Sequence, residues 1–266
     1  MDLTIELVRE FNSLDGIDTI IFPPYLFLNE ISHIVRPSNI LLGAQNFHPE
    51  SKGAFTGEIS GPMLQGICKY VLVGHSERRH LFGEIDSFIQ AKVNSAINNG
   101  LTPILCVGET LHERETDQAF SVIVKQLETA LSGLEPDSIA TLIVAYEPVW
   151  AIGTGQAATG DLAQEIMGFI RETLSSLIGS RLAAEIPLLY GGSVTSENIS
   201  QFSSQEDING ALVGGASLKS LDFLAIAKVI EGSQPSARET ATKGLSEDSK
   251  PSGDGGDDED QTYIAI

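Results

Sequence analysis

Short, continuously apolar runs alternate along this chain with amphipathic helical stretches. The apolar runs occupy residues 18–22, 40–45, 70–74, 102–108, 141–147, 187–191 and 210–214. Helical patterns fill the intervals, as over residues 87–99, 121–132, 162–178 and 221–231. One more opens the chain, with Leu3, Leu7, Val8 and Phe11 on a single face. A strand that is apolar on both faces must be covered on both, the condition of a parallel sheet flanked by its crossover helices. The count is seven strands after an initial helix. A doubly wound sheet tolerates seven; a closed eight-stranded barrel lacks one, and the missing strand is the first. With 266 residues, the chain is close to the roughly 250 typical of a single α/β barrel.

Charge and composition exclude several classes. Sixteen Lys and Arg face 36 Asp and Glu, a formal net charge of −20. Nucleic acids and anionic membranes both require a basic face, so neither is an expected partner. Cys68 and Cys106 have no disulfide-like or metal-like spacing, which points to a reducing compartment. No leader and no apolar run of membrane-spanning length is recognised, and a cytoplasmic protein is expected. Residues 233–266 change character: eight acids stand against three bases, a net charge of −5, among Ser, Gly and Pro. The expected organisation is therefore a barrel over residues 1–232 and a disordered acidic tail over 233–266. The apolar Tyr263-Ile264-Ala265-Ile266 at its end has no reading from sequence.

In parallel α/β proteins the loops after the strands carry the chemistry. His75 follows the apolar run 70–74 beside Glu77. A helix starting near Ser76 would keep its imidazole neutral and able to donate to a carbonyl oxygen. Glu147 ends another apolar run, where a carboxylate has no packing reason to sit but suits a general base. The segment after it, Pro148-Val149-Trp150-Ala151-Ile152-Gly153-Thr154-Gly155, has a stiff apolar tip between potential hinges and reads as a water-excluding lid. Gly191-Gly192-Ser193 and Gly214-Gly215 end the last two strands, where backbone N–H groups can approach an oxyanion. No metal-ligand cluster or dinucleotide fingerprint occurs, so no cofactor is expected. The set suits proton abstraction beside the carbonyl of a small phosphorylated substrate.

The segments Gly74-His75-Ser76-Glu77-Arg78-Arg79, 145–155, Tyr190-Gly191-Gly192-Ser193-Val194, 212–218 and Gly53-Ala54-Phe55-Thr56-Gly57-Glu58 resemble triosephosphate isomerase. The resemblance implies a TIM (β/α)8 barrel that interconverts glyceraldehyde 3-phosphate and dihydroxyacetone phosphate, in glycolysis and gluconeogenesis. It implies Glu147 as the base, His75 as the electrophile and Glu77 as support behind the site. It further implies Gly153, Ser193, Gly214 and Gly215 on the phosphate, with 148–155 closing over it. Cys106 matches a family cysteine for which packing is the expected role. The loop over 45–58 resembles the arm that docks into a second subunit, with Thr56 near the partner's site, so a homodimer is implied.

Three departures stand beside the resemblance. Family members open with a strand carrying an Asn-x-Lys motif, and here Met1 lies at the start of the first helix. A donor aimed at developing charge is typically worth roughly 3–4 kcal/mol. The count of seven strands predicts two unpaired edges facing a gap, hence poor stability. An incomplete gene start, a catalytically impaired or non-enzymatic homologue, or another phosphosugar barrel enzyme would each account for it. Gln156 stands where a Lys usually follows the lid's Gly-Thr-Gly, and the acidic tail is unusual for the family.

Overall fold

A computed structural model describes residues 1–152, 158–233 and 262–265. The chain opens with α1 (Asp2–Phe11), β1 (Ile17–Ile21), α2 (Tyr25–Val35) and β2 (Ile40–Ala44). It continues through α3 (Gly61–Leu64), β3 (Tyr70–Val73), α4 (Ser76–His80), α5 (Asp86–Asn98) and β4 (Thr102–Val107). The middle holds α6 (Leu111–Glu115), α7 (Ala119–Leu131), β5 (Ile143–Tyr146), α8 (Gly160–Ile178) and α9 (Ser180–Glu185). Then follow β6 (Leu188–Tyr190), α10 (Ser200–Ser203), β7 (Gly210–Leu212), α11 (Ser220–Ser233) and β8 (Thr262–Ala265). Every strand pairs in parallel with the next, and β8 pairs with both β7 and β1, so the sheet is a closed barrel.

Local chemistry agrees with these elements. Of the predicted face of α1, Leu7 and Phe11 are buried and Leu3 and Val8 are half-buried against the same core, while Thr4, outside that prediction, is buried as well. Thr110 and Glu113 form a reciprocal capping box at the start of α6. Thr159 caps α8, accepting from the Leu162 N–H at 3.2 Å. The same helix stops at Gly179, whose φ of +89° suits a residue without a Cβ.

The strands divide two cores by a period of two. Tyr70 and Leu72, Ile104 and Cys106, and Ile143 and Ala145 fill the barrel interior. Their neighbours Val71 and Val73, Leu105 and Val107, and Val144 and Tyr146 face the helices. Both faces are buried, which is why these strands read as continuous apolar runs.

The seven predicted strands are β1 to β7, with ends shifted by a residue or two. The unpaired edges expected on either side of a gap do not occur. Thr262–Ala265, which the sequence reading placed in a disordered tail, is a strand, with Ile17–Ile20 on one side and Gly210–Leu212 on the other. A four-residue strand is too short for periodicity to declare it, and its partners lie far away in sequence. The rest of the tail, residues 234–261 and 266, lies outside the described residues.

Helices α1 and α11 pack together over the seam that β8 fills. Phe11 stacks on Phe223 with ring centroids 4.9 Å apart. The Asp15 N–H donates to the Glu231 carboxylate at 2.7 Å, and the Ser220 hydroxyl donates to Glu6 at 2.7 Å. Phe11→Ala should therefore cost about 3–5 kcal/mol, measured by urea unfolding. A loss below about 1 kcal/mol would show that the ring stack does not carry the seam.

Candidate active site

Register delivers the central carboxylate. Ile143 and Ala145 point into the barrel, and two residues further on the same face presents Glu147 just past the end of β5. Its side chain is only 3% exposed. Two glycines make the room. A Cβ on Gly108 would stand 1.9 Å from the Glu147 carbonyl oxygen, and one on Gly191 would stand 3.0 Å from Glu147 Cγ. The Glu147 N–H is held by the Val107 carbonyl at 2.8 Å. Cys106 lies inward beside this group, and burial, followed by the Glu147 charge, pushes its thiol well up. It packs as a neutral thiol.

The end of β3 brings the imidazole. Gly74 turns the chain with φ +74°, His75 caps α4, and α4 begins at Ser76, within the Ser76–Glu77 range in which a helix start would act on the imidazole. His75 Nδ1 accepts from the Glu77 N–H at 3.4 Å. That contact assigns the proton to Nε2, which lies 3.0 Å from Glu147 Oε1. The Ser76 N–H donates to the other carboxylate oxygen at 2.8 Å. Burial pulls the imidazole down, but the hydrogen bond and charge of Glu147 and the charge of Glu77 outweigh it, and the net shift is upward. The expected neutralisation by α4 is therefore opposed by the carboxylate; the helix is only five residues long. Glu77 is exposed, and it is its backbone, not its carboxylate, that contacts His75.

Pro148 leads into a short 3-10 turn, Val149–Ala151. Trp150 Nε1 donates to Glu109 Oε1 at 2.8 Å, and the Tyr146 hydroxyl and Arg114 Nη1 each donate to the same oxygen at 3.1 Å. The Arg114 guanidinium also lies 5.1 Å from the Trp150 ring. Glu109 is 0% exposed and anchors the near end of the predicted lid. Sequence reasoning missed it, and missed Ser76. For Glu109 the signal existed: it follows the apolar β4 and Gly108, much as Glu147 follows β5. Ile152 ends the described part of the lid; Gly153, Thr154, Gly155 and Gln156 lie outside the described residues.

The two glycine-containing loops lie at neighbouring strand ends, after β6 and β7. The Ser193 hydroxyl donates to the Ala151 carbonyl at 2.6 Å, tying its loop to the lid. Gly214 and Gly215 have open space where a Cβ would stand. Gly215 begins a 3-10 turn, Gly215–Leu218, whose opening N–H groups lack partners within the turn. The Ser217 hydroxyl closes this loop on the Gly214 carbonyl at 2.6 Å. Thr56 sits on the exposed part of the 45–58 loop, residues 50–58, and within one chain no hydrogen bond joins it to Glu147 or His75 among the described residues. Among those residues no group of three or more His, Cys, Asp or Glu could hold a metal ion.

Glu147→Gln removes the two largest influences that hold His75 up and leaves only the charge of Glu77 against burial. The titration midpoint of His75, followed by NMR, should fall. An unchanged or higher midpoint would refute the assigned balance.

The model of one protein family, described as triosephosphate isomerase, matches residues 2–230. A triosephosphate isomerase of Carboxydothermus hydrogenoformans is 50% identical over 224 residues, covering 84% of this chain and 89% of its own length. That of Thermoanaerobacter pseudethanolicus is 49% identical over 210 residues, 79% of this chain and 85% of the relative. That of Chloroflexus aurantiacus is 47% identical over 225 residues, 84% and 90% respectively.

Proposed function

This chain belongs to the triosephosphate isomerase family, and from that premise we propose that it interconverts glyceraldehyde 3-phosphate and dihydroxyacetone phosphate. The observation that carries the reading is the buried Glu147 carboxylate, 3.0 Å from His75 Nε2 at the barrel mouth. Base and electrophile are each other's partner at rest. A bound triose phosphate takes the place of that contact. Its carbonyl oxygen accepts from His75 Nε2–H. Glu147 leaves the Ser76 N–H and takes the proton from the carbon beside the carbonyl. The imidazole stabilises the resulting enediolate, gives a proton to the former carbonyl oxygen and takes one from the neighbouring hydroxyl, while Glu147 returns its proton to the neighbouring carbon, so that carbonyl and hydroxyl exchange places. The backbone of Ser193, Gly214 and Gly215 holds the phosphate, with Gly153 completing the set. Residues 148–155 close over the substrate and exclude water, which protects the intermediate. Glu77 supports His75 through its N–H. No observation favours an impaired or non-enzymatic homologue.

We further infer a homodimer. Leu81 is 76% exposed, Phe82 67% and Ile85 66%, in the connection between α4 and α5. The ring of His48 lies 4.1 Å from that of Phe55 and 5.7 Å from that of Phe88, which joins the 45–58 loop to the same face. Exposed apolar residues gathered on one face suit a second subunit, and Thr56 lies on the loop that would reach it. No described helix is long and apolar enough to cross a membrane. Both cysteines are free, and burial pushes the Cys68 thiol up to about 12, which suits a reducing cytoplasm.

A coupled assay of the purified chain with triose phosphates should give saturable interconversion. Glu147→Gln should lower kcat by about 10²–10⁴ with KM little changed. Turnover that survives the substitution would refute Glu147 as the base. Phe82→Asp should shift the sedimentation coefficient from a dimer to a monomer. A chain that sediments as a monomer before the substitution would refute the dimer.

A further inference from the structure

One seam of the barrel receives its strand differently from the others. Three residues separate α5 from β4, and four separate α2 from β2; helix-to-strand connections are ordinarily about 2–6 residues. Between Ser233 at the end of α11 and Thr262 at the start of β8 there are 28 residues. A short connection delivers its strand to one place. A connection this long leaves the strand's position to be decided by the slot that receives it.

That slot has walls that do not depend on β8. β1 is paired with β2, and β7 with β6, through their other edges. Outside them α1 and α11 are joined by the Phe11–Phe223 stack and by the bonds from Asp15 to Glu231 and from Ser220 to Glu6. This clamp holds the two inner edges facing each other. An unfilled slot would expose two rows of backbone N–H and C=O groups that only a strand can satisfy together. The occupant is rich in strand formers, Thr262, Tyr263 and Ile264. It follows Asp257, Asp258, Glu259 and Asp260, charges that oppose pairing between the tails of separate copies.

We propose that the space between β1 and β7 is a strand-docking site for the chain's own residues Thr262–Ala265, which bind reversibly. The barrel then opens along this one seam while β2 to β6 remain paired. Opening reaches the catalytic end, because β7 ends at Leu212, two residues before Gly214. The tether keeps docking intramolecular, so a four-residue strand suffices where a free peptide of that length would bind weakly.

Hydrogen exchange read by mass spectrometry tests this without any assay of activity. In the full chain, amides in β1 and β7 should exchange at least about tenfold faster than those in β3 to β5. In a chain ending at Gln261, and in Ile264→Pro, which removes one N–H of the ladder, β1 and β7 should lose about a further tenfold. The protection of β3 to β5 should be retained. A synthetic peptide of residues 257–266, added to the shortened chain at millimolar concentration, should restore protection in β1 and β7; a scrambled peptide should not. Unchanged protection after removal of 262–266 would overturn the assignment of the slot. Collapse of protection in all strands together, or failure of either variant to fold, would overturn reversibility and make β8 an integral strand. Protection in β1 and β7 that rises with protein concentration would assign the slot to the strand of a second copy and overturn docking in cis.

Discussion

A free edge is costly to a parallel sheet in a barrel. Each strand end is part of the rim on which the loops stand, and each edge carries backbone groups that need partners. Here eight strands meet that demand, with β8 paired on both sides. Once the ring is closed, the alternation of inward and outward residues is set around it. That alternation decides which residues the strand ends present at the mouth, Glu147 among them. The site therefore depends on closure before it depends on any contact of its own.

The resting site compensates its own burial. A carboxylate with a 3% exposed side chain is costly unless charge and hydrogen bonds meet it. The Ser76 N–H and the His75 imidazole do so from the first residues around one short helix. In the proposed reaction the same two groups serve the substrate, one as a hydrogen-bond donor and one as the position from which the base departs. Glu109 repeats the pattern one strand earlier, meeting Tyr146, Trp150 and Arg114 on a single oxygen. Glu147 faces inward just past the end of β5, and Glu109 ties Trp150 of the following segment to the end of β4.

Much of this was legible in residue order. Continuous apolar runs between amphipathic helices require a two-faced buried sheet, and all seven were found. His75, Glu147 and the glycines after β6 and β7 were recognisable because polar or side-chain-free residues at the ends of apolar strands have no packing role. Glu109 carried the same signal, but only Arg114 among its partners is near in sequence; Tyr146 and Trp150 come from 37 and 41 residues away along the chain. The state of His75 was only half legible. The start of α4 at Ser76 could be anticipated; the opposing carboxylate reaches it from 71 or 72 residues further on.

Sequence by itself determined the strand and helix order, the parallel sheet, the family and the placing of Glu147 and His75 at strand ends, because all of these are written in local patterns of polarity and turn chemistry. Tertiary structure alone decided how the barrel closes. Tyr263-Ile264-Ala265 is an uninformative apolar scrap when read locally. It becomes a strand only because β1 and β7, brought face to face by the packing of α1 on α11, offer two rows of backbone hydrogen-bonding groups that nothing else in the described chain satisfies.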